Sequence, residues 1–155
     1  KILIRKNLNY IDGLMFGHED FSSNLLKYFG EEFSFYQNYR SQMLLYAKAN
    51  NLLALDTPTL ELNSKKLMDK YFQISFREGF DGALIIHPAQ IKLANKNYTP
   101  SLKDFKKSTA INQVSKKNKS IFVYKKEFIG PPIIKRAFNI QLKYNEIATF
   151  KKKNI

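Results

Sequence analysis

Short apolar runs alternate with longer amphipathic stretches along the first two thirds of the chain. Leu14, Met15 and Phe16 form one run, stopped by Gly17. Leu52 to Leu55 forms a second, stopped by Asp56, Thr57 and Pro58, and Ala83 to Ile86 a third, stopped by His87 and Pro88. Short continuous runs of this kind predict strands covered on both faces. A polar, glycine-containing stretch follows the first run as far as Gly30. Residues 38 to 50 then place Tyr39, Met43, Tyr46 and Ala47 on one helical face, with Asn50 and Asn51 as suitable C-terminal caps. Residues 64 to 78 bring Leu67, Tyr71, Ile74 and Phe76 to near-helical spacing, with Asn63 or Ser64 as the N-cap and Gly79 and Gly82 as breakers. Strands separated by helices of this length predict parallel βαβ units.

The tail has a different pattern. Ser101 followed by Asp104 forms a capping-box-like start for a helix over 102 to 117. Ile121 to Tyr124 predicts a short strand. Pro131 and Pro132 open a last helix that turns Ile133, Ile134, Ala137 and Ile140 inward. We therefore divide the chain into βα units over residues 1–100 and a basic extension over 101–155.

Composition bounds the reading. A chain of 155 residues with 44% hydrophobic content buries a core of its own. It is too short for a whole (β/α)8 barrel, which takes about 250 residues. The absence of cysteine excludes disulfides, thiolate catalysis and Cys-ligated zinc, and fits a cytoplasmic protein. No apolar run approaches the ~18 residues of a membrane span. The opening KILIRKNLNYIDG lacks the small-residue cleavage site of a signal peptide. Because it starts on Lys1 rather than Met, we expect a fragment or a processed product.

The net charge of +13 lies entirely in the C-terminal half. Residues 1–82 carry ten basic and ten acidic residues, whereas 83–155 carry sixteen basic and three acidic, Asp104, Glu127 and Glu146. Of the 26 basic residues 22 are Lys, whereas base-reading surfaces lean on Arg. Nucleic acid is therefore disfavoured as a partner, and a phosphate-bearing ligand or solvated helix faces are favoured.

Each strand ends in polar residues: GHEDF at 17–21, LDTP at 55–58 and IHPAQI at 86–91. In parallel α/β folds the chemistry sits at these ends, so Asp20, Thr57 and His87 are expected to share one rim. If Glu19 and Asp20 continue the first strand they point to opposite faces. A purely structural reading has Asp20 capping the next turn and His87 hydrogen-bonded where a strand meets Pro88. It also has Arg40 pairing or capping on its own helix and Asp56 supporting neighbouring backbone.

The same segments carry a family resemblance. GLMFGHEDFSSNL resembles the GAEDFAADLG segment of the citrate lyase beta subunit family. YRSQMLLYAKANNLLALDTP resembles its YARSRLVLAARAAGLPAIDTP, and GFDGALIIHPAQIKLAN its GFDGKLAIHPAQIPVIN. FIGPPIIKRA follows in place of MIDRPVVRRA, so four motifs agree in order over residues 8 to 140. The resemblance implies an α/β chain holding the last three βα units of a TIM (β/α)8 barrel plus a C-terminal helical extension, an incomplete barrel. It implies an aldolase-like carbon–carbon lyase, related to malyl-CoA lyases, that cleaves an acyl-CoA to acetyl-CoA and a keto acid such as oxaloacetate. A Mg2+ ion would act as Lewis acid on the keto oxygen.

By that resemblance Asp20 stands at the metal-ligand position, a hard carboxylate oxygen of the kind Mg2+ takes. Glu19, Asp56 and His87 become substrate-binding candidates, and no catalytic group is assigned. His18 replaces a small residue of the family. The family's second metal carboxylate and its substrate-binding Arg lie before Lys1, so Mg2+ binding by this chain alone should be weak or absent. Gly130 stands where the family's extension carries an Asp, with Glu127 three residues away. An unpaired sheet edge, and an extension that in the family reaches a neighbouring subunit, imply self-association (a trimer in the family) or pairing with the missing N-terminal segment. The alternative is a truncated, non-catalytic remnant that binds ligand or partner chains.

Overall fold

The structure is a computed structural model that describes residues 10–23, 34–117 and 121–153. The polar stretch leading to Gly30 lies partly outside the described residues. The chain divides into two compact units, Lys1–Tyr98 and Thr99–Ile155.

The first unit holds β1 (Gly13–Met15), α1 (His18–Ser23), α2 (Ser34–Ala49), β2 (Leu53–Asp56), α3 (Lys65–Glu78), β3 (Gly82–Ala83) and α4 (Pro88–Tyr98). The strands form a parallel sheet in the order β1-β2-β3, with Gly13 opposite Leu53 and Asp56 opposite Ala83. Gly13 permits the close approach of β1, because a Cβ there would lie 3.0 Å from the Leu53 Cβ and carbonyl oxygen. α3 begins where the Ser64 side chain accepts the Leu67 amide. It ends at Gly79, whose φ of 109° suits glycine. Asn51, at φ 57°, closes α2 in the left-handed region that Asn tolerates.

The core packs Leu44 and Ala47 of α2, Ala54 of β2, Met68 and Phe72 of α3, and Ala94 and Tyr98 of α4 against one another. Two expectations are corrected. The sheet is covered on one face only: Ala54 and Asp56 are buried, while Met15 and Leu53 on the other face are exposed. The buried helix faces are also rotated in part from those expected. α2 buries the expected Ala47 together with Tyr36, Arg40 and Leu44, with Met43 half-buried against the core and Tyr39 exposed, and α3 buries Met68, Phe72 and Ser75, with Tyr71 half-buried and Leu67, Ile74 and Phe76 exposed. In both helices the buried stripe includes a polar residue, Arg40 or Ser75, which an apolar count assigns to solvent. The third strand is shorter than expected, and Ile85 and Ile86 are exposed beyond it.

The second unit holds α5 (Leu102–Lys117), β4 (Phe122–Tyr124), β5 (Glu127–Ile129) and α6 (Pro131–Lys153). Ser101 caps α5 by accepting the Asp104 amide at 3.1 Å. β4 and β5 pair as an antiparallel hairpin. Its turn, Lys125–Lys126, has positive φ at both positions, 48° and 66°. β5 was not expected, because a Lys-Lys turn lacks the Asn-Gly signal of a tight hairpin. Ile111, Ile129 and Ala137 form the core, with Phe122, Tyr124, Ile133 and Ile134 packed on it. Phe105 stacks on Tyr144 at 4.2 Å, tying α5 to α6. Among the described residues, no helix is long and apolar enough to cross a membrane.

Candidate functional site

The residues at the end of β2 form a buried charged network. Asp56, expected among the substrate-binding residues, is fully buried. Its carboxylate accepts from Arg40 Nε at 2.7 Å and Arg40 Nη2 at 2.5 Å, a bidentate pair from α2. Ser75 Oγ of α3 and the Thr57 amide, the latter at 2.9 Å, donate to the same carboxylate. Asp56 therefore braces α2, β2 and α3 through its buried carboxylate, in keeping with the structural reading of a residue that supports its neighbours.

Arg40 is only 2% exposed and also pairs with Glu78 of α3. Arg40 is thus an ion-pair residue, as expected, and its pairs cross-link α2 to β2 and α3. Burial works against its charge, but the hydrogen bonds and negative charges of Asp56 and Glu78 outweigh burial and raise its pKa above the usual arginine value. The guanidinium also lies over the Phe80 ring, 4.4 Å from its centroid. Two tyrosines extend the network. Tyr98 Oη donates to Ser75 Oγ at 2.6 Å, and burial pushes its phenol up to about 12. Tyr71 Oη donates to the Thr57 carbonyl at 2.7 Å, and burial, reinforced by the Asp56 charge, raises its pKa. Both phenols thus stay protonated donors.

Above this network stands α1. Glu19 and Asp20 occupy its first turn, where carboxylates complement the helix dipole. They do not continue β1, so the condition for opposite strand faces is not met. The His18 amide donates to Thr57 Oγ1 at 3.3 Å, and His18 Nδ1 lies 3.0 Å from Glu19 Oε1. The His18 ring meets Tyr36 edge-on at 4.2 Å. Asp20 is exposed on α1. His87 is exposed as well, and its Nδ1 accepts the Ala89 amide at the start of α4. Gln90 escaped the sequence reading although it is fully buried: it donates to the Thr59 carbonyl at 2.8 Å and accepts the Ile86 amide at 3.1 Å. Its place in the IHPAQI motif was the available signal.

As a metal site the arrangement offers Asp20, an exposed carboxylate, next to Glu19, whose Oε1 lies against His18 Nδ1. Among the described residues no group of three or more His, Asp or Glu stands together to hold a metal. A hard oxygen donor suits Mg2+, which often takes one or two protein carboxylates and completes its shell with water and substrate.

No protein-family model matches the chain. It is 28% identical over 102 residues to citrate lyase subunit beta of Leuconostoc mesenteroides subsp. cremoris, covering 63% of this chain and 34% of that protein. It is 24% identical over 135 residues to the mitochondrial citramalyl-CoA lyase of Rattus norvegicus, covering 84% of this chain and 40% of that protein. The chain is citrate lyase beta subunit-like. It spans well under half the length of these relatives. Its fold matches that of protein CitE from Mycobacterium tuberculosis in complex with magnesium, acetoacetate and coenzyme A, with TM-score 0.72 and 24% identity over 86% of this chain and 52% of that one. A citrate lyase from Burkholderia xenovorans LB400 gives TM-score 0.74 at 13% identity, over 88% of this chain and 46% of that one.

Proposed function

We propose that this chain is the C-terminal part of a Mg2+-dependent carbon–carbon lyase of the citrate lyase beta type, three βα units of a barrel followed by its extension. The lyase cleaves an acyl-CoA to acetyl-CoA and a keto acid such as oxaloacetate. The observation that carries this reading is Asp20, an exposed carboxylate on α1 directly after β1, where the GHEDF motif resembles the family's metal-ligand segment. The relatives named citrate lyase and citramalyl-CoA lyase support the reaction class, and the neighbour bound to magnesium, acetoacetate and coenzyme A supports the ligand classes.

Within this assignment Asp20 holds the ion, and Glu19 and His87 approach substrate. Bound Mg2+ supplies Lewis acidity to the keto oxygen. The 155 residues alone bind Mg2+ weakly and do not turn over, because a single carboxylate leaves the ion mostly hydrated. The exposed Met15 and Leu53 face of the sheet, and the lack among the described residues of a further strand beside β1 or β3, support association with further barrel strands or with other copies. The lack of cysteine supports a cytoplasmic setting.

One observation favours the non-catalytic alternative. Gly130, in place of the family's Asp, has no proton to give. Nothing in the backbone requires glycine there, since an added Cβ would meet Phe128 and Pro132 only at ordinary contact distances, 3.7 and 3.9 Å. Calorimetry with Mg2+ and oxaloacetate on the wild type and on Asp20→Asn tests the metal reading. Weak heat from the wild type and none from Asp20→Asn is expected. Equal heats from the two would remove Asp20 from the site.

A further inference from the structure

Thr57 joins the buried network to the helix that carries Asp20. It is 2% exposed and is held on three sides. Its amide donates to Asp56 Oδ1 at 2.9 Å, its carbonyl accepts from Tyr71 Oη at 2.7 Å, and its Oγ1 accepts the His18 amide at 3.3 Å. The first amides of a helix have no intrahelical acceptor, so Thr57 caps α1 from a different element of the chain. A helix is held in place by its tertiary contacts more than by its own hydrogen bonds. The start of α1 is fixed from outside, and the residue that fixes it is braced by Asp56, which Arg40 and Ser75 brace in turn.

We propose that Thr57, backed by Arg40 and Asp56, is a positioning residue that sets where α1 begins and so where Asp20 presents its carboxylate. The link to Asp20 rests on the metal reading above, whereas the anchoring of α1 stands without it. The role needs a hydroxyl at position 57 and not merely a side chain of that shape.

Amide hydrogen exchange and Mg2+ calorimetry on the whole 155-residue chain separate the two parts. Thr57→Val keeps the shape and removes the acceptor, and Thr57→Ser keeps the acceptor. With the loss of one hydrogen bond, His18 should exchange about tenfold faster in Thr57→Val, and Mg2+ affinity should fall by about the same factor. Thr57→Ser should restore both. Should Thr57→Val fail to fold, Tyr71→Phe removes the donor to the Thr57 carbonyl and should shift both readouts the same way, by about threefold. Wild-type exchange at His18 in Thr57→Val would overturn the anchoring. Faster exchange with unchanged Mg2+ affinity would overturn the link to Asp20. A wild type that takes up no Mg2+ would overturn the metal reading of Asp20 and leave the exchange data to decide the anchoring alone.

Discussion

The two units of this chain treat charge in opposite ways. Residues 1–98 carry twelve basic and ten acidic residues, and the unit buries Arg40 and Asp56 in its core. Residues 99–155 carry fourteen basic and three acidic residues, and no described charged side chain among them is buried. The second unit packs a small apolar core and leaves its lysines in water. The first uses ions as internal cross-links among α2, β2 and α3. A buried pair is a poor source of net stability and a severe liability when broken, because its partner is left without compensation. The first unit should therefore be brittle at a few polar positions, and the second tolerant at nearly all of its charged ones.

The largest effect should come from Arg40→Met. It strands the Asp56 carboxylate and should cost about 3–5 kcal/mol in urea unfolding of the first unit. Asp56→Leu should cost a similar amount, and the double variant should cost clearly less than the two together. Additive losses would mean that the two side chains act independently. Ser75→Ala should come next, at about 1–3 kcal/mol, since it removes a donor to Asp56 and leaves Tyr98 Oη without its acceptor.

The polar network also explains what the sequence concealed. Helix ends were legible, because Ser64, Gly79 and the Ser101–Asp104 pair carry their own capping chemistry. The helix expected over about 102 to 117 matches α5. The buried faces of α2 and α3 are legible only in part, at Ala47, Met43 and Tyr71, because Arg40 and Ser75 count as polar until Asp56 is placed between them. No local pattern announces that three residues from two helices and a strand will meet. Asp20 was legible as a candidate through its motif, and its place in the first turn of α1 agrees with the structural reading that put it at the start of the next turn. The strand end marks Asp56 in the sequence, but its full burial beneath Arg40 and Ser75 leaves no local signal.

In the second unit the comparison predicts small numbers. Lys107 pairs with Glu127 at 2.5 Å, and both are largely exposed. Lys107→Ala should change stability by less than about 1 kcal/mol, and less still in high salt. A larger loss would show that this surface pair is structural.

Asp69, in α3, gives the smallest effect and a pH signature. Hydrogen bonds from Asn97 and Lys96, and the Lys96 charge, hold its pKa below the usual carboxylate value. A carboxylate lowered in the folded state contributes stability above its unfolded pKa, and that contribution is lost as pH falls through the folded one. Asp69→Asn should thus slightly lower stability at neutral pH and flatten the acid limb, so that the two proteins converge at low pH. An unchanged acid limb would mean that Asp69 ionises alike in both states.

The most direct test of the buried cross-link compares two arginines, one from each unit. In proton exchange followed by NMR, the Nε–H of Arg40 should be protected by on the order of a hundredfold over that of exposed Arg136, because its exchange requires the first unit to open. Asp56→Asn should bring the two closer together. Equal exchange at Arg40 and Arg136 in the wild type would contradict the account, since a guanidinium that meets water as freely as Arg136 does cannot be the brace beneath Thr57 and α1.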